Sequence, residues 1–183
     1  MGAVATAVMV ALSLWGAQAG STYKFSFAIL SPILWLVYFL RHRLALHPLH
    51  FALFAAALLL HNLGAMGYYR REFFGIEFDL FVHIYFGFVA GFVLYRALGR
   101  FYGLAGWRLW VAVALLTLGI GGAHELVEWS TTLAMGPERG MLKIDPRDPF
   151  DTQKDLASNL AGALVAAALY ALARKLRPRM DTN

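Results

Sequence analysis

The sequence predicts an all-α protein, a polytopic bundle of about six transmembrane helices forming a single domain over residues 1–183. Of the 183 residues, 60% are hydrophobic and only 15% are charged. This leaves too little polar material to cover a soluble domain of that size. The apolar residues fall into runs of nearly the length that crosses a bilayer, about 20 residues at 1.5 Å each.

Each apolar run is expected to be helical, because lipid offers no partner to unpaired backbone groups. The predicted spans cover residues 2–19, 25–40, 50–68, 78–98, 109–129 and 156–173. Near the end of the first, Ala17-Gln18-Ala19 looks like a signal-peptidase site, but no Lys or Arg precedes it. A signal peptide has a basic amino-terminal region, so the pattern favours a retained first span. Cleavage would leave five helices in the same orientation.

The basic residues lie in short clusters between the spans, where they act as topology determinants. With alternating spans, nine fall on the side of both termini: Arg41, Arg43, Arg96, Arg100, Arg108, Arg174, Lys175, Arg177 and Arg179. Seven fall on the other side: Lys24, Arg70, Arg71, Arg139, Lys143, Arg147 and Lys154. Positive-inside bias therefore predicts that both termini lie in the cytoplasm. The net charge of +5 is explained by these clusters, so we expect a lipid bilayer as partner, a membrane-protein complex as a further option, and no nucleic acid.

Polar side chains recur near span ends that alternation brings to the non-cytoplasmic side. They are Asp79 and His83; His124, Glu125 and Glu128; Asp151, Asp155 and Asn159; and His61 with Asn62. Pairs three or four residues apart share a helix face. Ionisable residues inside spans are costly, and each is by default a functional hypothesis. We therefore expect these residues to converge on one site.

Imidazole and carboxylate groups on paired helical turns suit a divalent metal such as Zn, Mn or Fe. The expected ligands are Asp79, His83, His124, Glu125 and Asp155. Glu128 or Asp151 would be the catalytic base, and the metal would activate water or polarise a lipid-headgroup oxygen. Four or five carboxylates inside the membrane cannot all stay ionised without compensating positive charge. Either a cation is bound, or some of the acids are protonated, or the bordering Arg70, Arg71 and Lys154 fold inward.

Other interpretations remain open. Asp79 and Asp155 lie in first helical turns, where carboxylates interact favourably with the helix dipole. The histidines can hydrogen-bond between helices as packing contacts, as in a non-catalytic subunit or scaffold. A small-solute or ion carrier lacks the expected discontinuous spans and inverted repeats. A haem site on His61, His83 or His124 lacks a matched pair at clear spacing.

Four further patterns are less specific. Gly87 and Gly91, together with Gly119, Gly121 and Gly122, leave room for close helix approach. Tyr68 and Tyr69 are typical of interfacial anchors, and the histidines from His42 to His50 are expected to be solvated. The loop from Met135 to Lys154 is either a lid over the polar residues or an ordinary connection.

The order of the polar motifs resembles that of the YjdF-type inner-membrane proteins. These motifs are D-x3-H from Asp79 to His83, E-x2-E-W from Glu125 to Trp129, and D-T-Q-x-D from Asp151 to Asp155. Asp155, Asn159 and Gly162 are similar, more distantly, to the last-helix pattern of VanZ-like proteins. The VanZ pattern also has a Gln shortly after its Glu, whereas here Trp129 follows Glu128. The resemblance covers residues 50–173 and implies that the motif residues form one site. It implies no particular reaction.

Overall fold

The computed structural model describes residues 2–18, 26–44, 46–69, 71–73, 75–136 and 149–176. Its helices are α1 (Gly2–Gln18), α2 (Ser26–Leu40), α3 (Pro48–Leu63), α4 (Phe78–Phe101), α5 (Gly106–Met135) and α6 (Asp151–Leu176). A π-helical turn, Gly64–Tyr68, follows α3. A two-residue antiparallel hairpin, β1 (Glu72–Phe73) and β2 (Ile76–Glu77), then leads into α4.

Each of the six predicted spans overlaps one of these helices. The helix α3 ends at Leu63, before the predicted limit at residue 68, while α4, α5 and α6 extend beyond their predicted limits. Three helical segments are long and apolar enough to cross a membrane: Phe78–Phe101, Gly106–Met135 and Asp151–Ala173. The segments Gly2–Gln18, Leu30–Leu40 and Pro48–Leu63 are apolar but shorter. The helical architecture is as predicted, while the number of spans stays a prediction.

Large apolar side chains cover the outside of the bundle. On α5, Leu115, Leu126 and Leu133 are each more than three-fifths exposed. A soluble protein rarely exposes apolar surface so continuously, whereas lipid accommodates it. The outward faces of the helices are thus suited to hydrocarbon.

Two sets of three helices make up the interior. Met9, Leu34 and Phe51 belong to a core shared by α1, α2 and α3. A second core joins α4, α5 and α6 and contains Tyr95, Leu109, Val113, Ala163 and Ala167. The two sets meet where α3 packs on α4: the Tyr85 hydroxyl donates to the Leu53 carbonyl oxygen at 3.3 Å.

Glycines allow α4 and α6 to approach at backbone distance. A Cβ atom at Gly87 would collide with the backbone of Asn159, and one at Gly162 would collide with the carbonyl of Ile84. At Gly91 a Cβ would lie 2.5 Å from the Cα of Ala163. Small residues at such contacts are what membrane helices need to pack tightly. This crossing brings His83, one turn before Gly87, against Asp155 and Asn159.

The structure corrects two of the less specific predictions. A Cβ at Gly121 would lie 3.0 Å from Asn159 Nδ2, but among the described residues nothing lies within 4 Å of one at Gly119 or Gly122. The close approach predicted for those two glycines is therefore wrong, because they face away from the neighbouring helices. His50 is buried and its Nδ1 accepts from the backbone of His47, so it is not a solvated side chain. Residues 137–148, the middle of the loop that is either a lid or an ordinary connection, lie outside the described residues.

Candidate functional site

Four helices present their polar side chains at the same end of the bundle. The carboxyl-terminal end of α3 carries His61, and the first turns of α4 carry Asp79 and His83. The second half of α5 carries His124, Glu125 and Glu128, while α6 begins at Asp151. This common end follows from the alternating directions of successive helices.

Asp79, His83 and Asp155 form the first cluster, here called the Asp–His–Asp group. His83 Nε2 lies 3.5 Å from Asp79 Oδ1 and 3.6 Å from Asp155 Oδ1. Asp155 is 5% exposed and His83 is 7% exposed. The Oδ1 atom of Asp155 has no hydrogen-bond partner among the described residues. A buried carboxylate in this state carries a substantial desolvation cost.

Asn159, one turn beyond Asp155, contacts the His83 ring: its Nδ2 lies 3.2 Å from His83 Nδ1. With Nδ2 as the donor, Nδ1 accepts and the neutral ring carries its proton on Nε2, facing the two carboxylates. Asn159 Oδ1 is buried and has no hydrogen-bond partner in the described part of the chain. Rotating the amide by 180° would let Oδ1 accept from Nδ1–H and leave Nε2 with a free lone pair. The same two residues therefore accommodate a hydrogen-bonding and a ligating form of His83.

His61, His124 and Glu128 form the second cluster, the His–His–Glu group. One ligand atom from each lies within 4.8 Å of the others, and His124 Nε2 is 3.2 Å from Glu128 Oε1. The rings of His61 and His124 lie 4.9 Å apart between centroids, and those of His124 and His83 lie 6.1 Å apart. The ring of His124 thus lies near His61 of its own group and near His83 of the Asp–His–Asp group.

Tyr69 holds His61 from outside the cluster. Its hydroxyl lies 2.6 Å from His61 Nδ1 and donates to the His61 carbonyl oxygen at 3.1 Å. The chain folds back to make this contact through the π turn, where Gly67 has φ of 101°. A Cβ at Gly64 would collide with the Tyr69 ring, so glycine is required there. Tyr69 had been predicted as an interfacial anchor, but its hydroxyl is engaged with His61.

Glu125 and Asp151 lie beside the two groups. Thr152 Oγ1 donates to Glu125 Oε2 at 2.9 Å, while the buried Oε1 atom has no hydrogen-bond partner among the residues described. Asp151, half-buried at the start of α6, is an electrostatic neighbour of Asp79, as are Glu125 and Glu128. Five carboxylates therefore share one end of the bundle.

The predicted residues thus lie together, but as two adjacent groups with Glu125 bound to Thr152. His61 was noted in the sequence without being included among the expected ligands. The sequence does indicate His61 as a possible ligand, because an ionisable residue near the end of a span is by default a functional hypothesis. The Tyr69 contact had no comparable signal, because it depends on the path of the π turn.

The distances within each group resemble those of a metal coordination sphere. Tetrahedral ligands about 2.1 Å from a zinc ion lie roughly 3.4 Å from one another. The three His-to-carboxylate distances are 3.5, 3.6 and 3.2 Å. The described ion-pair partners of Asp79, Asp155 and Glu128 are all histidines. The 3.2 Å between His124 and Glu128 also allows a hydrogen bond, whereas 3.5 and 3.6 Å are longer than charge-assisted hydrogen bonds.

A known protein family matches most of the chain. The family described as "Predicted membrane protein (DUF2238)" matches residues 1–176. The chain belongs to this family. The DUF2238 match extends beyond residues 50–173, where the motif resemblance lay, and includes α1 and α2. No curated protein and no solved structure matches the chain.

Membership in DUF2238 and the apolar helices establish a helical membrane bundle in contact with lipid. The family description states no reaction. Function therefore has to be argued from the two groups of side chains.

Proposed function

We propose that this DUF2238 protein binds a divalent metal at the Asp–His–Asp group and uses it on a lipid or cell-envelope substrate. The observation that carries the proposal is Asp155, whose buried Oδ1 lacks a hydrogen-bond partner in the described residues and faces His83. A cation bound between Asp79, His83 and Asp155 would compensate the buried charge. One imidazole and two carboxylates are a ligand set for Zn, Mn or Fe.

The neighbouring carboxylates supply the remaining chemistry. When bound, the metal would polarise a substrate oxygen or activate a water molecule. Asp151 lies one helical turn before Asp155 and is an electrostatic neighbour of Asp79, which suits it to accept the proton of an attacking water. We assign the base to Asp151 because of this position next to the Asp–His–Asp group; Glu128, the other residue predicted as a base, lies beside His124 in the His–His–Glu group.

The surroundings favour an amphiphilic substrate. The polar groups are enclosed by helices whose outer faces are apolar, as Leu115 and Leu126 illustrate. A molecule that reaches the site from the bilayer would carry a polar headgroup on an apolar body. We therefore propose a headgroup ester, such as a phosphate ester, as the bond that water cleaves.

An experiment on vesicles tests this activity. The purified protein, reconstituted with bacterial polar lipids and supplied with Zn²⁺ or Mn²⁺, should release headgroup products detectable by mass spectrometry. Asp151→Asn keeps a helix-capping side chain but removes the base, and it should slow product formation by about 10²–10⁴-fold. Glu72→Gln, at an exposed position in β1, is the matched control. Product formation that is unchanged by Asp151→Asn or by a chelator would contradict the proposal.

The orientation of the chain is proposed from the charge distribution. Nine basic residues against seven favour an orientation with both termini in the cytoplasm, and the YjdF-type resemblance favours the inner membrane. The polar end of the bundle would then lie on the outer side. A reporter active only in the periplasm, fused after Asn183, should give no signal, whereas the same reporter inserted after Gly75 in the hairpin should give one. The reverse pattern would overturn the orientation.

The relation to named groups is proposed in the same way. The D-x3-H, E-x2-E-W and D-T-Q-x-D motifs support a YjdF-type assignment within DUF2238, and Asp155, Asn159 and Gly162 support a more distant VanZ-like relation.

The second candidate function is that of a non-catalytic subunit or scaffold, in which the polar network is structural. It is favoured by the Thr152–Glu125 and Asn159–His83 hydrogen bonds, which hold helices together without any ion.

A further inference from the structure

We infer that the His–His–Glu group is a second metal position, adjacent to the first, and that Tyr69 prepares it by fixing the tautomer of His61. The inference rests on the proposed function, since it extends one metal position to a two-metal centre. It uses a ligand, His61, that the polar motifs did not include, and a hydroxyl outside both groups.

The ligand types support this second position. Two imidazoles and one carboxylate, from His61, His124 and Glu128, form a set that catalytic zinc sites and non-haem Fe(II) sites use. The Asp–His–Asp group has two carboxylates and one imidazole, and so it favours harder cations such as Mn²⁺. The two positions would therefore differ in metal preference.

The hydroxyl of Tyr69 accounts for the orientation of His61. A hydroxyl has one proton, so it cannot fully donate to two acceptors at once. When it donates to the His61 carbonyl oxygen at 3.1 Å, it accepts from Nδ1–H at 2.6 Å. The proton is then on Nδ1, and Nε2 keeps its lone pair for a metal. Metal-ligating histidines typically donate their other nitrogen to such a partner.

Two glycines in the preceding turn allow the contact between Tyr69 and His61. Gly64 gives the Tyr69 ring its space, and Gly67 adopts φ of 101° so that the chain can turn back. An anchor at the membrane interface would need neither the turn nor the contact with His61.

The crowding of carboxylates favours bound cations. Asp79, Glu125, Glu128, Asp151 and Asp155 lie close enough at this end of the bundle to repel one another when ionised. Each divalent ion bound there would relieve part of this repulsion. The rings of His83 and His124, 6.1 Å apart, bring the two positions into neighbouring space. Adjacent metal ions can clamp both the attacking and the leaving oxygen of a displacement.

Zinc titration of the metal-stripped, detergent-solubilised protein tests the inference. Calorimetry followed by elemental analysis should give two equivalents for the wild type and one for each of His61→Ala and His83→Ala. Tyr69→Phe should keep both sites but weaken one by about 10–100-fold, the usual effect of losing a partner of a ligating histidine. His42→Ala, an exposed residue after α2, should retain two equivalents. Circular dichroism and gel filtration establish that each variant is folded.

The other outcomes separate the two proposals. One equivalent that is lost in His83→Ala and unchanged in His61→Ala would overturn the second position and leave the first intact. No binding by the folded wild type would overturn both. Two equivalents with affinities unaffected by Tyr69→Phe would overturn the role of the hydroxyl. If His61→Ala does not fold, Glu128→Gln tests the second position instead, and retention of two full-affinity sites would contradict it.

Discussion

Replacing Gly87 with alanine should destabilise the bundle and abolish metal binding at the Asp–His–Asp group. The added Cβ would collide with the backbone of Asn159, so α4 and α6 must separate. Overpacking of this kind costs about 1–3 kcal/mol, which corresponds to roughly 2–10 °C in the unfolding temperature of a chain of this size. His83 would move away from Asp155 and Asn159 at the same time.

The matched control is Gly119→Ala on α5. Among the described residues, nothing lies within 4 Å of a Cβ at that position, and alanine favours a helix more than glycine does. Its unfolding temperature and metal content should equal or exceed those of the wild type. Thermal unfolding in detergent, with metal content measured on the same samples, gives both readings. An unfolding temperature for Gly87→Ala that matches the wild type would show that the α4–α6 crossing is not as described.

Asparagine at position 155 should have opposite consequences with and without metal. In the metal-free protein, Asp155 is a buried carboxylate whose Oδ1 has no hydrogen-bond partner among the described residues. The neutral amide removes that buried charge, so Asp155→Asn should unfold at the same temperature as the chelated wild type or higher. With metal at about 100 times its dissociation constant, the wild type should gain roughly 2.7 kcal/mol, or about 5–10 °C, and the variant should gain far less.

This comparison distinguishes a metal site from a structural network. If Asp155 serves only as an ion-pair partner of His83, Asp155→Asn should lower the unfolding temperature equally with and without metal. Glu72→Gln, at an exposed position, should behave as the wild type in both conditions. A wild type that metal does not stabilise, together with a destabilised Asp155→Asn, would favour the scaffold interpretation.

The fold was predictable because hydrocarbon restricts the choice of structure. Apolar runs of about 20 residues are expected to be helical in lipid, and each of the six predicted runs overlaps one of the helices α1–α6. Alternation of direction then brings the ends of α3 to α6 that carry the polar residues to one side. The four-residue spacing predicts that Asp79 lies beside His83. The alternating helix direction predicts that Asp155 lies in the same region, and both residues are close to His83.

The finer arrangement depends on features that spacing does not carry. Periodicity shows which residues share a helix face, but it does not show which face meets a neighbour. Gly121 therefore packs against Asn159 while Gly119 and Gly122 do not. The Tyr69–His61 contact depends on the left-handed backbone at Gly67. A glycine between two helical stretches suggests a turn, but it does not show where the following side chain will be directed.

The metal content of the protein tests the central claim most directly. The wild type, His83→Ala, Glu128→Gln and the control His42→Ala would be purified without chelators, shown to be folded, and analysed for Zn, Mn and Fe. The wild type and His42→Ala should contain at least one equivalent of metal, and His83→Ala and Glu128→Gln should each contain less. A folded and active wild type without metal would contradict the account, as would bound metal that neither His83→Ala nor Glu128→Gln reduces.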